Sequence, residues 1–140
     1  MRAAIIPVGE EPRIIQIENT LEELQKMVGG YIEPFDVLFE DKPCLYVNEE
    51  GLYTCKPNRA VYATKAMQEA GYLSQIHGRK IVEEGELYTV LYGNILAVSY
   101  DTTEEGEWIE RDITDEEFAR LKDTFKDCGS GMREVLKLLG

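Results

Sequence analysis

The sequence predicts an α+β fold with a mostly antiparallel sheet built from hairpins. Three observations carry that expectation. Short apolar runs follow one another across tight turn signals. Two amphipathic segments open on Thr-x-x-Glu caps, the mark of independent helices. No regular series of crossover helices separates the strands, so a doubly wound parallel sheet is not expected.

The elements follow in order. RAAIIPV (2–8) and PRIIQIE (12–18) read as two strands around a Gly9-Glu10-Glu11-Pro12 turn. NTLEELQKMVGG (19–30) reads as an early helix, with Thr20 and Glu23 as a capping box. Leu21, Leu24 and Val28 share one face of it, Lys26 lies in the last turn and Gly29 supplies the left-handed stop. YIEPFDVLFE (31–40) gives short strand structure interrupted at Pro34. CLYVN (44–48) and LYTCK (52–56) read as a second hairpin around Glu49-Glu50-Gly51. The register that keeps one face apolar points Cys55 inward and Cys44 outward, with no disulfide between them.

From Asn58 to Ala70 the spacing of Ala60, Ala63, Met67 and Ala70 predicts a middle helix capped by Asn58. GELYTVLYG (85–93) and NILAVSYD (94–101) read as a strand pair turning at Gly93-Asn94, and EWIE (107–110) as a further strand. Two C-terminal helices close the chain. In DITDEEFARLKDTF (112–125), Thr114 and Glu117 form a capping box and Ile113 can staple Phe118. SGMREVLKLLG (130–140) is the second, with Met132, Val135, Leu136 and Leu139 on one side.

The length of 140 residues is that of one domain, large enough to bury a core without a disulfide or a metal. The charge is acidic, 27 Asp and Glu against 15 Lys and Arg. Direct binding of nucleic acid needs clustered cations and is not expected. An acidic surface serves solubility, a basic protein partner or mimicry of a nucleic-acid backbone. Three cysteines with no paired spacing (Cys44, Cys55 and Cys128) fit free thiols in a reducing compartment. The N-terminal apolar run, broken by Pro7, is too short for a signal peptide or a membrane span, so the expectation is a cytoplasmic protein.

IENTLEELQKMVGGYIE, NEEG, PNRA, GNILAVSYD and DITDEEFARL occur in that order. This set resembles the bacterial and phage family known as domain of unknown function 3846, and VGGYIE and PNRA are its most specific parts. The resemblance covers most of residues 1–60 and 86–125. Against it, residues 61–85 read as a longer, family-specific insertion and 129–140 as an added helix on the single domain 1–140. The resemblance implies an accessory protein of phages or mobile elements in Gram-positive bacteria that engages host machinery. It implies no activity.

Two segments stand out as candidate sites. Lys56, Asn58 and Arg59 form a small basic cluster in an acidic chain. Asn58 at a helix start with Arg59 beside it would make an anion or nucleotide pocket; the plainer reading is a strand end, a cap and an internal ion pair. The second segment runs from Asp101 to Glu117, with nine acids and one Arg. Asp115, Glu116 and Glu117 belong to a helix's first turn, where the dipole favours them. Asp101, Glu104, Glu105, Glu107 and Glu110 surround Trp108, and an exposed aromatic ringed by carboxylates suits a basic partner. The plainer reading is a solvated loop with Trp108 turned inward.

Other chemistry finds little support. His77 is the only histidine, and nothing near it marks a Cys-His pair with Cys44, the more outward thiol. Asp101, Thr103, Glu105, Gly106 and Asp112 match several calcium-loop positions, but the last is Asp and a strand precedes the loop. No metal or cofactor is expected. The expectation is a non-enzymatic acidic binding protein that engages or inhibits a host protein, with an anionic-ligand binder at Lys56, Asn58 and Arg59 as the alternative.

Overall fold

The computed structural model describes residues 1–35, 43–65, 67 and 84–126. The predicted helix at 130–140, His77 and Cys128 lie outside the described residues. Within them the chain is α+β and its strand pairings are all antiparallel.

The chain begins with β1 (Arg2–Ile6) and β2 (Arg13–Gln16), joined as expected through Gly9, which takes a positive φ of 73°. Helix α1 (Leu21–Val28) starts where Thr20 accepts the Glu23 N–H. It stops at left-handed Gly29, and the N–H groups of Gly29 and Gly30 both return to the Gln25 carbonyl. Leu24 and Val28 are buried, each contributing about 1.5–3 kcal/mol, whereas Leu21 lies exposed outside that face. β3 (Ile32–Phe35) carries Pro34 and sits at a sheet edge, where a missing N–H is tolerated.

The second hairpin is not formed. β4 (Cys44–Asn48) pairs with β3 and with a later strand. Asn48 then accepts the Glu50 N–H through Oδ1, and residues Gly51–Thr54 coil into a single helical turn, α2. This local side-chain bond diverts the chain from a hairpin loop. The correction reverses the two thiols: Cys44 is buried, at 2% exposure, and Cys55 is partly exposed. Both are free, as expected.

The middle helix does not begin at Asn58 either. Pro57–Tyr62 is a strand, β5, paired with β6 (Leu87–Tyr92). β7 (Ile95–Thr102) follows β6 directly, yet the two do not pair. Gly93, at φ 78°, carries the chain from one sheet to the other. β8 (Trp108–Arg111) returns along β7, and α3 (Asp115–Thr124) starts on the full Thr114–Glu117 capping box.

The larger sheet runs β2-β1-β7-β4-β3, with β8 beside the far end of β7. Its core positions are buried on both faces, which is why β7 reads as an unbroken apolar run rather than an alternation. On one face α1 packs over Ala3, Cys44, Leu96 and Val98. On the other, the β5–β6 pair and α3 close over Ala4, Ile6, Leu45, Ile95 and Ala97 through Val61, Leu91, Ile113, Leu121 and Phe125. Three layers result, and the far end of the β7–β8 hairpin extends past them, with residues 101, 102 and 104–109 exposed. Among the described residues no helix is long and apolar enough to cross a membrane.

Candidate functional site

Of the Lys56, Asn58 and Arg59 cluster, Asn58 and Arg59 are built into the interior. Asn58 is buried in β5, and its Nδ2 donates to the carbonyls of Ile6 and Gly93, both at 2.7 Å. Its Oδ1 accepts Arg59 Nη1 at 2.5 Å. Arg59 is 1% exposed. Nε donates to the Phe125 carbonyl at 3.1 Å, Nη1 to Pro7 and Nη2 to Glu10. Phe125 caps α3, so the guanidinium sits at the negative end of a helix dipole. Lys56 alone of the three is exposed. The expected pocket at a helix start is absent because Asn58 and Arg59 lie in a strand and spend these donors on the protein's own carbonyls. Their geometry ties β1, the Gly93 crossover, the first turn and the end of α3 to β5.

The acidic segment is arranged differently. Residues 103–107 form a short loop in which Thr103 N–H donates to the Glu107 carbonyl and Gly106 takes φ 85°. A strand-loop-strand results, not a calcium-binding helix pair. Among the described residues no group of three or more metal-ligating side chains converges.

Trp108 is 49% exposed and stacks on Tyr100, with ring centroids 4.2 Å apart and planes 7° apart. Strand alternation puts Ile109, 54% exposed, on the opposite face. Glu104, Glu105 and Glu107 are exposed and form no ion pair among the described residues. Asp101 is also exposed but pairs with Arg111 at 2.9 Å. Glu110 is half-buried and accepts the Tyr46 hydroxyl at 3.1 Å. Burial first, then the charges of Cys44 and Glu110, push the Tyr46 hydroxyl far above its ordinary value, so it stays protonated and donates.

A polar cluster behind the hairpin anchors it. Glu117 is buried, accepting Ser99 Oγ at 2.8 Å and the Thr114 N–H at 2.9 Å. Burial alone would raise its pKa, but hydrogen bonds from Thr114 and Ser99 and the charge of Arg111 hold it below the usual carboxylate value. Burial opposes the charge on Arg111, and Asp101 and Glu117 outweigh it. Arg111 thus links β7, β8 and α3.

Sequence reasoning did not single out Tyr100, Ile109 or Ser99. Tyr100 and Trp108 stand on one face of neighbouring strands, a relationship that follows only from the Tyr100–Glu110 register. Ser99 carried no local signal, since its partner lies on a helix 18 residues later.

The model of the family described as Domain of unknown function (DUF3846) matches residues 1–126. The chain belongs to that family. No curated protein and no solved structure is matched. Within this member the family-like segments take two separate structural roles. PNRA (57–60) supplies the buried Asn58–Arg59 staple. VGGYIE (28–33) and NEEG (48–51) meet at Asn48, whose Nδ2 donates to the Val28 carbonyl, while Glu49 N–H donates to that of Tyr31. A side chain at Gly30 would meet Asn48 Nδ2 at 2.8 Å, which explains the glycine there. Beside this junction lies an open groove of about 740 Å³ lined by Glu22, Lys26, Tyr31, Glu50 and Thr54.

Proposed function

We propose that this protein is a non-enzymatic binding protein that presents the β7–β8 hairpin to a basic surface on a host protein, as an accessory of a phage or mobile element. The observation that carries the reading is the half-exposed Trp108, supported from behind by Tyr100 and flanked by the exposed Glu104, Glu105 and Glu107, which form no ion pair among the described residues. A rigid aromatic ring loses little entropy on docking and is a common energetic anchor of interfaces. The carboxylates steer an oppositely charged partner and set the salt dependence of association. The hydrogen bonds of Glu117, Ser99 and Arg111 fix the hairpin before binding, so ordering it costs the complex little.

Affinity capture from a bacterial lysate, with wild type and Trp108→Ala side by side at low and high salt, tests this. The expected result is a protein retained by wild type at low salt, released at high salt and lost from the variant. A retained protein that ignores both the substitution and the salt contradicts the reading. Release of the retained protein by duplex DNA would further assign the acids the role of a phosphate mimic.

A further inference from the structure

We infer that the partner docks by adding a β-strand to the outer edge of β8, and that the added strand is an extended, basic segment of the partner protein. This rests on the reading of the hairpin as the contact surface, and it specifies how contact is made.

The backbone register supplies the first observation. Among the described residues β8 pairs with β7 alone, and no strand lies along its other edge. The Thr103–Glu107 hydrogen bond fixes which residues face β7. Antiparallel ladders alternate bonded and non-bonded pairs, so Asp101↔Ile109 and Ser99↔Arg111 exchange hydrogen bonds. Trp108 and Glu110 therefore point their N–H and C=O groups outward, away from β7. These outward groups form a template for a further strand.

The side chains supply the second. Trp108 and Ile109 are half-exposed on opposite faces of this same edge. A strand laid along β8 covers apolar surface on both faces at once, which a flat surface pressed on one face cannot do. The edge at β3 is blunted by Pro34, whereas β8 contains neither proline nor lysine.

Charge chooses the occupant. A second copy of this chain would bring another net charge of −12 against the first, and like-charged bodies repel. A basic extended segment instead meets the exposed Glu107 just before β8 and the exposed Glu104 and Glu105 of the adjoining loop.

The test uses an octapeptide alternating lysine with valine, and a peptide of equal charge in which the central valines are replaced by proline. Trp108 is the only tryptophan, so its fluorescence reports binding at this edge. The first peptide is expected to bind at least tenfold more tightly than the second. It should slow amide exchange at Trp108 and Glu110 at least tenfold and leave Ile109 and Arg111 unchanged. Glu110→Pro, which removes an outward N–H, should weaken binding at least tenfold relative to Glu110→Ala; the exchange measurement on unaltered protein decides the matter if that variant does not fold. Equal, salt-sensitive affinities for both peptides without amide protection would overturn strand addition and leave the acidic contact surface standing. Binding of neither would count against both. A dimer formed through β8 without peptide, seen by sedimentation equilibrium and dispersed by Glu110→Pro, would overturn the choice of occupant.

Discussion

Arg59 Nε donates to the carbonyl oxygen of Phe125 at 3.1 Å, joining the second strand pair to the end of the last described helix. The same guanidinium reaches the carbonyls of Pro7 and Glu10, so one side chain spans three separated stretches of chain. Arg59→Ala strips the buried carbonyls of Pro7 and Phe125, and the partly exposed one of Glu10, of this donor. The expected cost is about 3–5 kcal/mol, read as a lower urea midpoint. Arg59→Lys keeps the charge but loses the planar fork, and should still cost about 2 kcal/mol.

Glu117 gives the fold a defined acid sensitivity. Its folded pKa is lowered relative to its ordinary value. Its contribution is therefore fully present above the unfolded pKa of about 4.3 and is lost as pH falls through the lower folded value. Glu117→Gln should cost about 1–2 kcal/mol at pH 7 through the weakened cap and the Ser99 contact. The gap between variant and wild type should narrow as pH drops below about 4. Urea titrations at pH 7, 5 and 3.5 check this; a gap that widens toward acid would contradict it.

Gly93 and Gly9 share a positive φ but not a neighbourhood. A side chain at Gly93 would meet Cys55 Sγ at 2.9 Å and Cys55 Cβ at 3.1 Å, whereas at Gly9 nothing lies within 4 Å. Gly9→Ala should cost about 1 kcal/mol from backbone strain alone. Gly93→Ala should cost about 2–4 kcal/mol, since the close contact adds to the strain at the crossover between sheets. Thermal melts of the two variants rank them directly.

Trp108→Ala separates stability from binding. The ring is half-exposed, and loss of its stack on Tyr100 should cost about 1 kcal/mol of folding stability. Binding to the partner should fall about 30-fold or more, the loss typical of an anchor residue. Denaturation of the variant alongside isothermal titration with the captured partner measures both.

The parts of the fold legible in the sequence are those set by neighbouring residues. Thr20 and Thr114 cap helices through bonds three residues away, and Gly29 ends α1 on the carbonyl of Gln25. The first turn and the strand at Trp108 follow from equally local signals. The parts that misled depend on distant partners. Asn58 looks like a helix cap, but its carboxamide is consumed by Ile6, 52 residues away, and by Gly93. Gly93-Asn94 looks like a hairpin turn, but β6 finds its partner in β5 across residues 63–86 and β7 joins the other sheet. Misreading 49–56 as a hairpin also reversed Cys44 and Cys55, because register sets every facing along a strand. At the candidate site, the acids and Trp108 were visible as composition; the Tyr100 stack behind them required the register.

The most direct measurement is the dissociation constant of the captured partner for wild type and for the triple variant Glu104→Lys, Glu105→Lys, Glu107→Lys, at about 50 and 300 mM salt. These side chains are exposed and form no ion pair among the described residues, so the variant should melt close to wild type. The expected result is at least 30-fold weaker binding of the triple variant at the lower salt and a much smaller difference at the higher. A folded triple variant that binds as tightly as wild type at both salts would contradict it.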